Sequence, residues 1–254
     1  MLGLATVLAV LTSQRICGEV DRIRERECVF PGVACVELRI DEQIAALRSA
    51  VAHEEVERYS QIAGRTRLID SMDATSEVIG GVQTFSAIRR NGRNVLDASD
   101  ISGTWSFGEM AAVLITSRDG IEQAGLETRR SAKDGADSPL VSFFHFAPYS
   151  GRWYVTVDSK VYWLDLNGEV EVLPSTGQVV YVRWTSGTLP VETSIERIIW
   201  TVRFKATEIG GQRAVLPDTA EYVVQHRRNR AEWNRTQFDR WSRYGSQVSI
   251  DFRE

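Results

Sequence analysis

The residue that most resembles a catalytic nucleophile is Ser106, in the segment Gly103–Gly108. A hydrolase nucleophile elbow places a glycine two residues before the serine, between a strand and a helix of an α/β sheet. Thr104 stands at that position here. Ser106 and Glu109 have instead the Ser-x-x-Glu spacing of a capping box, just before an apolar run that starts at Met110. The segment therefore predicts the start of a short helix, and a hydrolase remains only a residual alternative.

The three histidines do not form a metal-binding pattern. His53, His145 and His226 are far apart, and none has a second histidine two or four residues away. A structural zinc site needs four ligands. Acidic pairs such as Asp97 with Asp100 lie in loop-like stretches, where solvated charges explain them and only a weak calcium site is the alternative. We expect no metal ion, no cofactor and no catalytic residue.

The segment Gln225–Tyr244 interleaves arginines with aromatic residues, a pairing that nucleic-acid-binding surfaces use. A long exposed strand has the same composition, because arginine stems cover apolar surface and guanidinium groups stack on tryptophan. The net charge of −4 and the pI near 5.6 do not suit a protein that neutralises phosphates. Nucleic acid is thus disfavoured as a partner, and an anionic lipid headgroup or a protein surface is a better candidate.

Seven tryptophans are present, and most of them fall in strand-like segments. A tryptophan buries a large area and needs an acceptor for its indole N–H. Several of them in one curved sheet either line a cavity or pack as an ordinary core, and the strand faces decide between the two. The tryptophans in predicted strands include Trp153, Trp163, Trp184, Trp200 and Trp241.

The elements that must position these residues are mostly strands. From Leu140 onward, short runs of Val, Ile, Tyr, Phe, Trp and Thr alternate with Gly, Pro, Asn or Ser, the pattern of a meandering antiparallel sheet. The clearest hairpin is Gly168–Trp184, with two alternating strands around Pro174–Gly177. We place strands at Leu140–Ala147, Arg152–Val157, Lys160–Asp165, Glu169–Leu173, Gln178–Trp184, Ile195–Thr207, Gln212–Leu216, Thr219–Arg228, Ala231–Arg243 and Gln247–Phe252.

The first half of the chain mixes helix and strand signals. Apolar residues at helical spacing predict a long helix over Ile40–Ala63. The segment Arg65–Arg93 is strand-like and contains an Asn91-Gly92 turn signal. The polar stretch Gly120–Asp137 predicts a loop.

The N-terminal run Met1–Thr12 is apolar, as long as the core of a secretory signal, and too short to span a bilayer. No Lys or Arg precedes it, so a buried N-terminal strand or helix is the alternative. We expect residues 1–14 to be a signal peptide and the protein to be periplasmic or secreted. If the run is not a signal, a cytoplasmic location follows.

Two of the three cysteines, Cys28 and Cys35, flank a loop that contains Pro31 and Gly32. A disulfide between them would fit an oxidising compartment, and two free thiols are the alternative. Closing such a short loop is worth about 2–3 kcal/mol in the chain-entropy model. This bridge would hold the segment 15–38, ahead of a single domain at 39–254 that no Pro/Gly/Ser-rich linker divides.

Four segments carry a resemblance to a known architecture: residues 103–110, the hairpin Gly168–Trp184, the Gly210-Gly211 turn leading to Leu216-Pro217, and Phe238–Phe252. In their layout the chain resembles uncharacterised secreted bacterial proteins with a lipoprotein-carrier-like (LolA/LolB-like) half-barrel. The resemblance implies a mainly β (α+β) fold. It would consist of a large curved antiparallel meander sheet or incomplete barrel, one long N-terminal helix, and a short helix that plugs the concave face.

The resemblance brings no catalytic residues, and sorting proteins of this architecture bind acyl chains in the cavity. We therefore expect a non-enzymatic envelope protein that binds a hydrophobic ligand, a lipid or the acyl chain of a lipidated protein. The alternative is a protein-interaction or sensor module that docks an envelope protein on a sheet face, through a patch around Arg228–Tyr244. No pattern indicates an oligomeric state. The predicted lining residues are Trp105, Phe107, Met110, Leu114, Phe144, Phe146, Trp153, Trp163, Trp184 and Trp200.

Overall fold

A computed structural model describes residues 6–9, 32–48, 50–79, 82–95, 110–128, 139–148 and 153–243. Within these residues the main feature is an open antiparallel sheet of eleven strands, with two helices packed on it. The mainly β fold predicted from the sequence is confirmed. Neither described helix is long and apolar enough to cross a membrane.

The helices are α1 (Val33–Leu47) and α2 (Met110–Ala124). The strands are β1 (Thr6–Ala9), β2 (Ala50–Ile62), β3 (Arg65–Ile79), β4 (Val82–Arg90), β5 (Arg93–Asn94), β6 (Glu127–Thr128), β7 (Leu140–Phe146), β8 (Trp153–Val157), β9 (Lys160–Trp163), β10 (Leu166–Val172), β11 (Val179–Ser186), β12 (Ile195–Ile209), β13 (Gln212–His226) and β14 (Arg230–Arg243).

The large sheet has the order β5-β4-β3-β2-β14-β13-β12-β11-β10-β7-β6. From β10 to β14 each strand pairs with its neighbour in the chain, so the predicted meander is confirmed there. Strand β2 pairs with β14, which joins the N-terminal hairpins to the C-terminal ones. Strands β8 and β9 leave the meander and form a separate sheet of three strands with β1.

The helix predicted over Ile40–Ala63 is wrong in its second half. Helix α1 ends at Leu47, and Ala50–Ile62 is strand β2. Burial in β2 alternates at residues 50, 52, 54 and 56, the period of two that a strand requires. Pairing with β14 on one side and β3 on the other outweighs the helical spacing of its apolar residues.

The other boundaries differ less. The helix predicted from Met110 is confirmed and continues to Ala124, so the first part of the predicted loop Gly120–Asp137 is helical. The strands predicted on either side of Pro217 form one strand, β13, and the ladder shifts register opposite this proline. A proline donates no hydrogen bond, and the shift accommodates it. The predicted capping box and the strand Gln247–Phe252 lie outside the described residues.

The two faces of the large sheet differ in chemistry. The face under the helices is here called the covered face. Its buried residues on β7 and β10–β14 join α1, α2 and β8 of the three-stranded sheet in one apolar cluster. The opposite, outer face carries alternating charges on neighbouring strands: Arg183 lies opposite Glu169, and Arg235 lies between Glu221 and Glu57. Opposite charges in register favour this strand pairing over its alternatives.

The N-terminal predictions are tested only in part. Thr6–Ala9 forms β1, paired with β8, and the rest of the predicted signal segment lies outside the described residues. Cys35 is disulfide-bonded, but its partner also lies outside them. The bridge from Cys35 to Cys28, the signal peptide and the single-domain division stay predictions.

Candidate functional site

One line of register partners crosses the covered face of the large sheet, with one residue from each of eight neighbouring strands. We call it the cross-sheet row. Its first five positions are apolar or aromatic, and its last three are polar. From β7 to β3 the residues are Phe144, Gly168, Trp184, Trp200, Tyr222, Asn234, Arg58 and Asp70.

The aromatic half of the row is packed ring against ring. Trp153, from the three-stranded sheet, meets Trp184 edge-on at 4.7 Å between ring centroids and Trp200 at 6.4 Å. Trp200 lies 5.5 Å from Tyr222. Such contacts are worth about 0.5–1.5 kcal/mol each beyond area burial. The described rings thus form a closed, core-like layer.

The ring of Phe144 lies in a slot between two glycines. A Cβ built on Gly168 would lie 2.1 Å from Phe144 Cζ, and one built on Gly120 of α2 would lie 2.3 Å from Phe144 Cδ1. Neither distance is compatible with a side chain larger than hydrogen. The glycines therefore allow α2 to pack closely on the sheet at this point.

Helix α1 is fixed to the sheet by directional hydrogen bonds. The buried Gln43 side chain donates to the Val179 carbonyl at 3.1 Å, and the Val179 N–H donates back to Gln43 Oε1 at 3.1 Å. Arg39 Nε donates to the Thr176 carbonyl at 3.2 Å. These bonds tie α1 to the β10–β11 hairpin.

Helix α2 is attached in another way. It meets β7 and β10 through apolar side chains and the Gly120–Phe144 contact. Its Thr116 hydroxyl accepts a hydrogen bond from Trp153 Nε1 at 3.1 Å, which links it to the three-stranded sheet. Arg118 donates to Asp41 of α1 at 2.9 Å in an exposed ion pair. Non-directional packing therefore dominates the contact between α2 and the large sheet.

The fully buried Trp184 has an indole N–H for which the described residues provide no acceptor. The buried hydroxyl of Ser142, on β7, likewise has no hydrogen-bond partner among the described residues. A buried polar group without a partner costs about 1–3 kcal/mol. The covered face therefore contains polar atoms that an additional hydrogen-bonding group would satisfy.

The polar half of the row is stabilised by ion pairs between charged side chains. Asp70 is buried and accepts two hydrogen bonds from Arg58, one at each carboxylate oxygen. Arg90 Nε donates to the same carboxylate at 2.8 Å. Burial raises the pKa of Asp70, but the hydrogen bonds from Arg58 and Arg90 outweigh burial and hold this pKa below its usual range.

Most of the predicted lining residues come together. Trp105 and Phe107 lie outside the described residues. Trp163 lies on the other side of the three-stranded sheet, 37% exposed, edge-on to Tyr154 at 5.2 Å. Successive residues of a strand face opposite sides, so it is Tyr162 that packs toward the core. The lining residues that share one buried cluster are Met110, Leu114, Phe144, Phe146, Trp153, Trp184 and Trp200.

Sequence reasoning missed Tyr222, Asn234, Arg58 and Asp70, which complete the cross-sheet row. Their place follows from the register of β13, β14, β2 and β3. No local pattern encodes which strands become neighbours. In addition, Arg58 falls in the segment that was predicted to be helix.

The arginine and aromatic patch predicted around Arg228–Tyr244 divides between the two faces of β14. Phe238 is buried on the covered face. Trp233 lies on the outer face and stacks on Tyr59, with centroids 5.3 Å apart and planes inclined by 14°. Leu68, which pairs with Tyr59, is 48% exposed. Tyr244 lies outside the described residues.

Each histidine lies beside a carboxylate. His53 Nδ1 is 2.8 Å from Asp239, and His145 Nε2 is 2.5 Å from Asp165. His226 Nε2 is 3.9 Å from Glu232. Among the described residues, no group of three or more His, Cys, Asp or Glu side chains is placed to hold a metal ion.

Two solved structures are similar to this chain. One is a LolA superfamily protein from Nitrosomonas europaea, with a TM-score of 0.34 and 9% identity over 85% of this chain and 94% of that one. The other is a DUF1329 family protein from Desulfovibrio piger, with a TM-score of 0.39 and 9% identity over 85% of this chain and 93% of that one. No protein-family model and no curated protein matches the chain.

The resemblance to a lipoprotein-carrier-like architecture, inferred from the sequence, is confirmed as a likeness of structure to these proteins.

Proposed function

We propose that this protein is a non-enzymatic binder of a hydrophobic ligand, such as a lipid or a lipoprotein acyl chain. The ligand lies against the aromatic half of the cross-sheet row, in the space that opens when α2 moves away from the sheet. The observation that carries this proposal is the unequal attachment of the two helices. Helix α1 is tied by the Gln43–Val179 hydrogen bonds, whereas α2 rests on Phe144 by packing.

The unequal attachment matters because packing is not directional. An acyl chain can replace the apolar side chains of α2 against Phe144 at little net cost, since both are hydrocarbon surfaces. The Gln43 amide pair cannot be replaced in this way, because an acyl chain has no hydrogen-bonding group for the Val179 N–H and carbonyl. Helix α1 is thus the fixed wall and α2 the movable plug.

Because the described rings are closely packed, the mechanism requires α2 to move before a ligand binds. Trp153 contacts Trp184 and also donates to Thr116 of α2, so the movement of α2 is coupled to the three-stranded sheet. When the plug moves, it exposes the Phe144 ring, from which the row continues through Gly168 to Trp184 and Trp200. Binding therefore requires a conformational change.

We also propose the bacterial envelope as the compartment. The disulfide of Cys35 supports an oxidising environment, since such bonds persist in secreted and periplasmic proteins. Thiol labelling of protein from intact cells tests this. Free alkylation of all three cysteines would contradict it.

A brominated fatty acid tests the binding site directly, because bromine quenches a tryptophan that it touches. We expect 9,10-dibromostearate to quench the fluorescence of the wild-type protein, and unbrominated stearate to bind without quenching. In Trp184→Phe and Trp200→Phe, the quenchable fraction should fall. Trp163→Phe is the matched control, because Trp163 lies on the far side of the three-stranded sheet, and there the quenchable fraction should persist.

Two outcomes would contradict the proposal. One is the absence of any quenching by the brominated acid at concentrations below its critical micelle concentration. The other is quenching that disappears in Trp163→Phe and persists in both Trp184→Phe and Trp200→Phe. That result would place the acyl chain on the outside of the molecule. Native mass spectrometry of protein from a bacterial envelope extract gives an independent readout as co-purified lipid.

A second candidate function is an envelope interaction or sensor module. It is favoured by the outer face, where the stacked Tyr59–Trp233 pair adjoins exposed Leu68. Photo-crosslinking from position 68 in cells tests it. A defined protein adduct would support this role, and an adduct-free profile would argue against it.

A further inference from the structure

The turn between β13 and β14 places a group of basic residues at one end of the covered face. The turn comprises Arg227, Arg228 and Asn229, and the last two have φ of 66° and 55°. His226 and Arg230 pair across its base. Each is four residues along its strand from a member of the cross-sheet row, so both belong to the covered face.

Arg227 has an unmatched charge. Its Nη2 donates to the Leu189 carbonyl at 2.9 Å, and its backbone N–H donates to the Ser194 carbonyl. Its Nε is buried, and the described residues offer neither an acceptor for this atom nor a carboxylate for the guanidinium. Arg227 as a whole is half-buried, and a guanidinium partly withdrawn from water normally has a counter-ion.

Two neighbouring side-chain nitrogens are also buried without a hydrogen-bond acceptor. Arg230 pairs with Glu232 through Nη2, but its buried Nε has no acceptor within the described chain. His226 Nε2 is likewise buried and makes no hydrogen bond, since its charged neighbour Glu232 is 3.9 Å away. Three unsatisfied nitrogens therefore lie within five residues of each other. We call His226, Arg227, Arg230 and Glu232 the rim cluster.

The charge of the rim cluster is positive. The neighbouring His226 and Arg230 hold the pKa of Glu232 at about 2 against the cost of burial, so this carboxylate is ionised at neutral pH. The cluster therefore contains one carboxylate and two arginines, and only Arg230 is paired with that carboxylate. An anion with two or more oxygens would supply the missing charge and the missing acceptors together, and a guanidinium fork suits carboxylate and phosphate geometry.

We infer that the rim cluster binds an oxyanion, a carboxylate or a phosphate, and that this group is the polar head of the hydrophobic ligand. The inference rests in part on the proposed function, since the head lies at the end of the covered face along which the tail would lie. The ligand class is then an anionic amphiphile. Arg227 is the residue on which its recognition chiefly depends.

The test compares stearic acid with its methyl ester, which has the same tail and no charge. Each displaces the neutral probe N-phenyl-1-naphthylamine from the full-length protein. We expect the wild type to bind the acid about 10- to 100-fold more tightly than the ester, the range of a charge-assisted hydrogen bond. In Arg227→Gln this preference should vanish while the affinity for the ester stays unchanged.

Arg213→Gln is the matched control. It removes the same charge from an exposed arginine at the opposite end of β13, and the preference for the acid should remain. Arg227→Lys keeps the charge but not the fork and should retain only part of the preference. Thermal unfolding of each variant shows whether it is folded.

Equal binding of acid and ester by the wild type would overturn the head-group inference and leave the proposed function intact. If neither the acid nor the ester binds, the proposed function fails. Inorganic phosphate then tests the anion site separately. Phosphate, but not chloride at equal ionic strength, should then raise the unfolding temperature of the wild type and not that of Arg227→Gln. No difference between the two salts would overturn the site. Competition of phosphate with the acid, but not with the ester, would identify the head group as its occupant.

Discussion

The two halves of the cross-sheet row are held by different forces, although they lie on the same face and share one hydrogen-bonded register. From Phe144 to Tyr222 the contacts are ring to ring and ring to glycine. From Asn234 to Asp70 the row ends in an ion cluster with Arg58 and Arg90. The first half tolerates exchange of one apolar neighbour for another, and the second demands specific partners at fixed positions.

Under the proposed function, this difference predicts where the molecule opens. Apolar burial contributes in proportion to area and does not depend on which apolar group supplies it. A buried ion pair loses several kcal/mol when one partner leaves, because the other charge stays behind without water. We therefore expect the polar half to be rigid and the aromatic half, under α2, to be the exchangeable part.

The largest effect should come from Asp70→Ala. It leaves the half-buried Arg58 without its carboxylate, and we expect a loss of about 3–5 kcal/mol in the free energy of unfolding by urea. Arg89→Ala is the control, because Arg89 pairs with Asp73 in an ion pair where the arginine is 53% exposed. That variant should lose no more than about 1 kcal/mol. Equal losses in the two variants would refute the rigid polar half.

The next effect concerns the fixed helix. Gln43→Ala removes both bonds to Val179 and leaves a buried N–H and carbonyl unsatisfied, which should cost about 2–4 kcal/mol. Hydrogen exchange should show faster opening of α1. Glu42→Ala, an exposed neighbour on the same helix, should change stability by less than about 1 kcal/mol. If hydrogen exchange in α1 of Gln43→Ala is as slow as in the wild type, α1 is not held more firmly than α2 by these bonds.

Gly168→Ala should act on the plug. The new methyl group overlaps the Phe144 ring, and overpacking of this kind costs about 1–3 kcal/mol. Combined with Phe144→Ala, it should cost nothing further, because the overlapping ring is gone. Gly32→Ala, where a Cβ meets nothing within 4 Å, is the control. Additive losses in the double variant would mean that the Phe144 slot is not what excludes a side chain at position 168.

The smallest effect is pH-dependent. Glu232 has a pKa of about 2 in the folded protein against 4.5 ordinarily, so it stabilises the fold above pH 4.5 and this contribution is lost as the pH falls toward 2. With its side chain 28% exposed, we expect about 1–2 kcal/mol. Glu232→Gln should therefore be less stable than the wild type at pH 6, and the two curves should converge near pH 2. Parallel curves over that range would show that Glu232 is not held by His226 and Arg230.

Local sequence signals predicted the elements whose information is contained within a few residues. The hairpin Gly168–Trp184 turns where Pro174–Gly177 predicts it, and Gly177 N–H donates to the Leu173 carbonyl at 2.8 Å. The helix from Met110 follows its apolar run. The prediction failed at Ala50–Ile62, where apolar spacing suited a helix and two neighbouring strands made it a strand.

Short-range signals are enough to specify the strand meander from β10 to β14 and the apolar helix that begins at Met110. Turn chemistry and the alternation of side chains along a strand act over short distances. The sharing of one row by Trp184, Trp200, Arg58 and Asp70, and the exclusion of Trp163 from it, arise from the pairing of distant strands. Those relations depend on the pairing of β2 with β14 and on the departure of β8 and β9 into a second sheet. The physical reason is that long-range strand pairing is selected by total burial and hydrogen bonding, quantities that no short stretch of sequence contains.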